Sequence, residues 1–338
     1  MKKAKKWWTI LMATVLVTGA LSGCGGQNDN AAAQVEEANQ GSKGSPSESA
    51  KPESGASEQA ATQLFEDWNG HKVEVPTQPK RVIFHGETTG DLAVLGVSPV
   101  GIMQSSIEGT LSQDKFRDAQ DVGFPFNVEK ALELNPDLII FGNADENQYE
   151  QISKVAPTVT FDTFGSLDER LTKLGQLLGK QEEAKLWLER YHEKENAMWK
   201  EIRDGGIGEA ETATVFTMYP GNRLYAMANT GLSQILYSEG GMKPTPLVQE
   251  ALDAGQGFVE ISLEKLSEYA GDHIFLLTPV QAEAVGDLEQ LEKSQVWGGL
   301  EAIKNGNVYT FGLLEAYSDA LSREGLIQQL PKALLKSE

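Results

Sequence analysis

The sequence contains a single cysteine among 338 residues, so no disulfide can form within the chain and the fold must rely on its apolar core. Histidine is also scarce. His71, His85, His192 and His273 lie far apart and give no ligand spacing for a dedicated zinc or manganese site. Basic residues number 29 against 49 acidic ones, for a formal charge of −20. Nucleic acid is therefore excluded as a partner, because its phosphates would be repelled.

The sequence also lacks catalytic signatures. It contains no Gly-rich dinucleotide fingerprint, no P-loop and no Gly-x-Ser-x-Gly nucleophile elbow. His192 and Glu193 begin like a zinc-protease helix motif, but Asn196 stands where the second histidine would be. We therefore predict that the protein is not an enzyme and needs no cofactor. We interpret His71, His192 and His273 as structural residues.

The first residues have the pattern of an exported lipoprotein. Four lysines within residues 2–6 precede an apolar run at 7–20, which is too short to span a bilayer comfortably. The run leads into Leu-Ser-Gly-Cys at 21–24, which predicts cleavage before Cys24 and a lipid on its sulfur. We expect residues 1–23 to be a signal peptide and Cys24 to anchor the chain on the extracytoplasmic face of the cell membrane, as on a Gram-positive surface.

A segment of low complexity follows Cys24. Residues 24–63 are rich in Gly, Ser, Gln, Glu and Pro and have almost no large apolar side chain, which predicts a disordered linker. Folded sequence begins near Leu64 with a hairpin around Asn69 and Gly70, the strongest short hairpin signal. The linker would let the folded part reach away from its anchor.

The rest of the chain alternates between strand-like and helix-like stretches. A nearly continuous helical pattern covers residues 166–203, with a potential break at Gly179. We predict an α/β fold of two Rossmann-like lobes, residues 64–165 and 204–338, joined by this one long helix with a ligand cleft between them. The predicted strands are 81–84, 100–103, 138–141, 213–217, 273–277 and 308–311; the predicted helices are 89–95, one starting at 127, 231–237, 262–270 and 319–335.

Seven segments, in this order, resemble the substrate-binding lipoproteins of iron-siderophore ABC importers. One of them reads Asn-Val-Glu-Lys-Ala-Leu-Glu-Leu-Asn-Pro-Asp-Leu-Ile at 127–139. The others are residues 79–83, 90–101, 121–123, 178–180, 269–272 and 296–309. The resemblance implies a monomer with two lobes and one connecting helix, which captures a ferric siderophore and delivers it to a membrane permease. A single helix between lobes also implies only modest hinge motion.

In this family a glutamate on each lobe contacts arginines of the permease, and the resemblance assigns these roles to Glu129 and Glu260. The residues alone leave other interpretations open. Asn127 is a good N-cap, so Glu129 would also suit a helix start, where a carboxylate offsets the helix dipole. Glu260 would equally be a solvated residue before Ser262.

For the ligand, the resemblance implies aromatic platforms and a few hydrogen-bond donors. The candidates in the second lobe are Tyr219, Arg223, Trp297 and Tyr317, and core packing is the alternative for each aromatic residue, above all for Tyr225. In the first lobe, His85 and Glu87 follow a strand that should end at the cleft.

Two departures from the family pattern concern the cargo. Hydroxamate binders often have tyrosines where Glu87 and Thr88 stand, and an arginine near residues 229–234, which read Asn-Thr-Gly-Leu-Ser-Gln here. The strong acidity favours a neutral or cationic hydroxamate, or a mixed chelate, over an anionic catecholate.

Other cargo and other classes of protein remain open. A cobalamin or haem receptor is the alternative within the same class, and His85 and Met103 would be the candidate axial ligands for haem. A surface enzyme or an adhesion module is the alternative outside it.

Overall fold

The computed structural model describes residues 61–335. The predicted signal peptide, Cys24 and nearly all of the predicted linker lie outside the described residues. Within the described range, no helix has both the length and the hydrophobicity to cross a membrane.

A β-hairpin begins the described chain. Strands β1 (Thr62–Glu66) and β2 (Lys72–Pro76) are antiparallel, with Glu66 opposite Lys72. The loop between them turns through Gly70 at φ +88°, as the Asn-Gly signal predicted. The Asp67 carboxylate accepts hydrogen bonds from the amides of His71 at 2.8 Å and of Thr160 at 2.7 Å, so it fixes the hairpin to the first lobe.

The first lobe contains a five-stranded parallel sheet in the order β5-β4-β3-β6-β7. Its two central strands are buried along their whole length, which explains why they read as continuous apolar runs. The strands are β3 (Val82–His85), β4 (Gly101–Ile102), β5 (Gln120–Asp121), β6 (Leu138–Phe141) and β7 (Thr158–Thr160); the helices are α1 (Gly90–Val94), α2 (Val128–Glu133) and α3 (Glu146–Ile152).

Two helices occupy the stretch in which the sequence predicted one. Helix α4 (Leu167–Leu178) starts with a capping box of Ser166 and Glu169. It ends at Gly179, which has a left-handed φ of +67° and where a Cβ would come within 2.8 Å of the Thr77 carbonyl, so the potential break is a real one. Helix α5 (Gln181–Asp204) then packs back on α4. The connecting helix is therefore α5 alone, which at 24 residues is about 36 Å long.

The second lobe contains a mixed sheet in the order β11-β9-β8-β12-β13, with the short β10 beside β8. Strands β8, β12 and β13 are parallel, whereas β9 runs antiparallel to both of its neighbours. The strands are β8 (Thr212–Tyr219), β9 (Arg223–Met227), β10 (Lys243–Pro244), β11 (Phe258–Ile261), β12 (His273–Thr278) and β13 (Val308–Gly312); the helices are α6 (Leu232–Leu236), α7 (Pro246–Asp253), α8 (Leu266–Tyr269), α9 (Ala282–Glu292), α10 (Gln295–Gly298), α11 (Glu301–Lys304) and α12 (Ala320–Leu334).

One continuous apolar core joins the two lobes. It runs from Phe84 in the first sheet, through Leu174 and Tyr191 on α4 and α5, to Phe275 in the second sheet. The last helix, α12, contributes Leu330 to the same cluster and packs on both α1 and α5. The lobes therefore share buried surface at the back of the molecule and are not merely tethered by a hinge.

Arg170 on α4 is fully buried where the two lobes meet. Its guanidinium donates to Asp91 of α1 at 2.9 Å, to the carbonyl of Gly165 at 2.7 Å and to the carbonyl of Ser318 at 2.6 Å. Asp91 also accepts a hydrogen bond from the amide of Ala320 at 2.7 Å. A single charged group thus links the first helix of one lobe to the start of α12.

The segment before α12 packs closely against Gly90 and Gly231. A Cβ at Gly90 would overlap the Asp319 carboxylate, and one at Gly231, where φ is +49°, would overlap the Ala316 carbonyl. Burial, followed by the nearby charge of Asp91, raises the pKa of Asp319 to about 6. The close approach of residues 316–320 to both lobes therefore requires glycine at these two positions.

Replacing Arg170 with alanine should destabilise the fold strongly, because it would leave the Asp91 charge buried without its partner. The expected loss in free energy of unfolding is about 3–5 kcal/mol, measured by urea denaturation. Arg190→Ala on the exposed face of α5 removes the same charge and should change stability by less than about 0.5 kcal/mol. Equal losses in the two variants would contradict a structural role for the Arg170 network.

Candidate functional site

The main cavity lies between the lobes, at the carboxyl ends of their parallel strands. Its volume is about 430 Å³, within the range of sites that enclose a small molecule. Loops after β3 and β7 form one wall, and β9 with the loops after β8 and β13 forms the other. Four predicted residues line it, namely Glu87, Tyr219, Arg223 and Tyr317; the remaining lining residues are Thr88, Thr163, Phe164, Tyr225, Met227, Thr230, Gly231, Phe258, Leu277, Leu313, Ala316 and Ser318.

Aromatic rings dominate the walls of this cavity. Tyr225 packs edge-on against Tyr219 at 5.2 Å and against Phe258 at 5.6 Å between ring centroids. Phe164 reaches the same space from the first lobe. Phe164 and Phe258 are each 47% exposed and both line this cavity, so their apolar surface is available to a ligand. The cavity can therefore take a ligand with substantial apolar surface.

Arg223 is engaged in an ion pair at the rim of the cavity. Its guanidinium donates to Glu260 at 2.7 Å and also contacts the Tyr225 hydroxyl, which itself donates to Glu260 at 2.7 Å. The hydrogen bonds from Arg223 and then from Tyr225 lower the pKa of Glu260 to about 2. The positive charge of Arg223 is thus offset, although the side chain stays exposed enough to meet a ligand.

Glu87 reaches the cavity from the first lobe and has no ion pair or side-chain hydrogen bond within residues 61–335. Desolvation by the surrounding protein raises the pKa of its carboxyl, although solvent in the cleft still reaches it. Burial, followed by the charge of Glu87, raises the pKa of the Tyr219 hydroxyl. The same two causes raise the pKa of the Tyr317 hydroxyl to about 12. An unpaired carboxylate of one lobe therefore faces two phenols of the other.

Two threonine hydroxyls on the cavity wall make no hydrogen bond to the described chain. They belong to Thr88, which is 2% exposed, and to Thr230 on the opposite lobe. Buried hydroxyls are almost always paired in folded proteins, so each exception calls for an explanation. Neighbouring atoms cover both oxygens in this conformation, so a ligand in the cavity would reach them only after those neighbours shift.

Comparison with known proteins identifies the architecture. The family model described as periplasmic binding protein matches residues 82–312, more than half of the chain. The chain belongs to this family. Its members bind substrates outside the cytoplasm and are not enzymes, so the prediction of a non-catalytic binding protein is confirmed, as is the resemblance to siderophore-binding components of ABC importers.

Three relatives illustrate the similarity of this periplasmic binding protein to others. The iron(3+)-hydroxamate-binding protein FhuD of Bacillus subtilis (strain 168) is 30% identical, over 95% of this chain and 96% of its own. The structure of FhuD from S. pseudintermedius superposes with a TM-score of 0.73 at 27% identity, covering 82% of this chain and 99% of that one. Staphylococcus aureus SirA complexed with staphyloferrin B gives 0.72 at 27% identity, over 81% and 98%.

Two of the predicted ligand residues do not line the cavity of this binding protein. Trp297 is 5% exposed and packs in the apolar core of the second lobe, so the core alternative applies to it. His85 is 4% exposed, and its Nε2 donates to the Gly123 carbonyl at 3.0 Å. Its ring packs among Phe124, Phe126 and Phe141. Met103, the other haem candidate, is also buried and outside the cavity lining.

Phe164 and Phe258 are the cavity residues that the sequence reasoning missed. Each stands beside a glycine in a connection or at a strand end, and the ring of Phe164 lies close to Gly257 of the other lobe. An exposed phenylalanine flanked by glycine was the available signal. Thr88 and Thr230 had been noted only as departures from the pattern of hydroxamate binders.

Proposed function

We propose that the protein captures a ferric siderophore of the hydroxamate or mixed type and delivers it to the permease of an ABC importer. The observation that carries this proposal is one cavity between the lobes that combines aromatic walls with polar side chains from both lobes. Ferric hydroxamates present both an apolar carbon framework and an oxygen-rich centre. The names of the relatives, which include iron(3+)-hydroxamate-binding proteins, support this cargo.

The chemistry of the cavity side chains gives each of them a proposed role in binding the siderophore. The rings of Tyr225, Phe258 and Phe164 would cover the carbon framework, and the hydroxyls of Thr88 and Thr230 would donate to the oxygens around the metal. Iron would arrive within its chelate, so the protein needs no resident cofactor. Among residues 61–335, no group of three or more metal-ligating side chains lies close enough together to hold a metal ion itself.

A carboxylate-type iron chelate is the second candidate, because a relative that is 26% identical is named as an Fe(3+)-citrate-binding protein. Such an anionic complex would need basic charge that is free to meet it. Arg223 is the only Lys or Arg side chain in the lining of the described cavity, and Glu260 already offsets its charge. The hydroxamate class is therefore favoured, and haem and cobalamin enter as further ligands to be tested.

Calorimetric titration against ferric hydroxamates, carboxylates and catecholates, haem and cobalamin should give tight binding of a hydroxamate or mixed complex. Thr88→Val and Thr230→Val should each weaken it about five- to tenfold, since each removes one hydrogen bond. Thr310→Val, exposed on β13 and outside the cavity, should leave the affinity unchanged. Tight binding of haem or cobalamin alone, or of no compound in the panel, would contradict the proposal.

Delivery requires a docking surface, and we propose one exposed carboxylate on each lobe. Glu129 lies in the first turn of α2 behind the Asn127 cap, and its side chain makes no ion pair within the described residues. Glu260, the partner expected from the sequence, is instead held by Arg223 and Tyr225. Glu264 is exposed, also unpaired within residues 61–335, and lies two residues after Ser262, as Glu129 lies two after Asn127. It therefore competes with Glu260 for the second role.

Charge reversal separates these candidates. Glu129→Lys should reduce siderophore uptake in cells while ligand affinity in solution stays unchanged, because paired charges govern docking and encounter. If Glu264 is the second docking residue, Glu264→Lys behaves in the same way, whereas Glu260→Gln lowers ligand affinity by disturbing Arg223. If instead Glu260→Gln reduced uptake at unchanged affinity and Glu264→Lys did not reduce uptake, the second docking role would belong to Glu260. Normal uptake by the Glu129→Lys variant would contradict docking through Glu129.

We also propose that a lipid on Cys24 holds the protein at the membrane, which supports delivery by keeping it near the permease. A protein with Cys24→Ser should be released into the medium and recovered without the mass of a diacylglycerol group. Fractionation followed by mass spectrometry measures both. Retention of the variant in the membrane fraction would contradict the anchor.

A further inference from the structure

The charges that line the cavity do not balance. Glu87 and Arg223 are the acidic and basic residues in the lining of the described cavity. Glu260 offsets Arg223 from just behind it. Glu87 has no counterpart within residues 61–335, so the cavity has one uncompensated negative charge when its carboxyl is ionised.

No local structural role accounts for this carboxylate. Helix α1 has Thr89 at its N-cap and no side-chain cap, so Glu87 does not stabilise the helix start. A partly desolvated acid without a partner lowers stability, and such groups are enriched at functional sites. The retention of an unpaired acid among aromatic side chains therefore points to a ligand group that would pair with it.

The surroundings of Glu87 suit a cation. Tyr219 and Tyr317 line the same cavity as Glu87. The charge of Glu87, after burial, adds to the rise in pKa of both hydroxyls. Aromatic faces attract ammonium groups, and a carboxylate beside them adds a charged hydrogen-bond acceptor. An anionic ligand would be repelled by the carboxylate, and a neutral ligand would form no ion pair with it.

We propose that the cavity selects ferric hydroxamates that carry a pendant primary ammonium group, and that Glu87 binds this group between Tyr219 and Tyr317. The inference rests on the proposed function, because the ammonium group belongs to the siderophore. Glu87 is then a specificity-determining residue, whereas the hydroxyls and the other rings hold the common hydroxamate core.

A matched pair of ligands tests the inference. One is a linear ferric trihydroxamate with a free terminal amine, and the other is the same complex N-acetylated at that amine, which removes the charge and keeps the metal centre. The wild-type protein should bind the amine form about tenfold more tightly, the ratio expected of one charge-assisted hydrogen bond. Titration calorimetry at neutral pH measures both constants.

Glu87→Gln keeps the shape of the side chain and removes its charge. This variant should bind both complexes with the same affinity, close to that of the wild-type protein for the acetylated form, and it should be at least as stable as wild type in urea. The control Glu150→Gln removes an exposed acid from α3 of the same lobe, outside the cavity, and should keep the tenfold ratio. This control distinguishes a contact made by Glu87 from an effect of the overall charge of the protein.

The outcomes distinguish this inference from the proposed function. Equal binding of both complexes by the wild-type protein, or an unchanged ratio in Glu87→Gln, would overturn the role of Glu87 and leave siderophore binding intact. If Glu150→Gln also lost the tenfold ratio of affinities, the preference would come from the overall charge of the protein, and the role of Glu87 would again be overturned. Failure of the wild-type protein to bind either complex would overturn the proposed function, and the inference with it.

Discussion

The ion pair between Arg170 and Asp91 is the constraint on which the arrangement of the lobes depends. It is fully buried, so neither charge can be removed alone without leaving the other unpaired. Through the carbonyl of Ser318 and the amide of Ala320, the same pair fixes the segment that starts α12 and borders the cavity. The back of the molecule and the floor of the cleft are therefore held by one network, and large lobe rotations would have to break it.

This rigidity suits a receptor that encloses its cargo in a preformed site. The core continues from one sheet through α4 and α5 to the other, so packed side chains hold the two walls of the cavity relative to each other. A preformed site loses less conformational entropy on binding than one that must close. Recognition can then depend on a small number of polar groups, here hydroxyls, Arg223 and Glu87, set among aromatic rings.

Sequence reasoning predicted the α/β lobes because their signals are local. The apolar run of β6 and the Asn127 N-cap of α2 can each be recognised from a few consecutive residues. The site was harder, because burial is set by partners distant in sequence. Trp297 lies in a motif of the family yet packs in the core, and Glu260 looks solvated until β11 pairs with β9 and brings it beside Arg223. Pairing of this kind across 37 positions is not visible in a single sequence.

The anchoring of the segment at 316–318 has an evolutionary consequence. The carbonyl of Ala316 accepts from Leu232, and Ser318 contacts Gly231 through its hydroxyl and Arg170 through its carbonyl, so the neighbours of Tyr317 hold the chain in place. The Tyr317 side chain takes no part in this support. If Tyr317 contacts the cargo, as we propose, substitution at this position would alter recognition and leave these hydrogen bonds in place, so cargo preference could drift through a single codon.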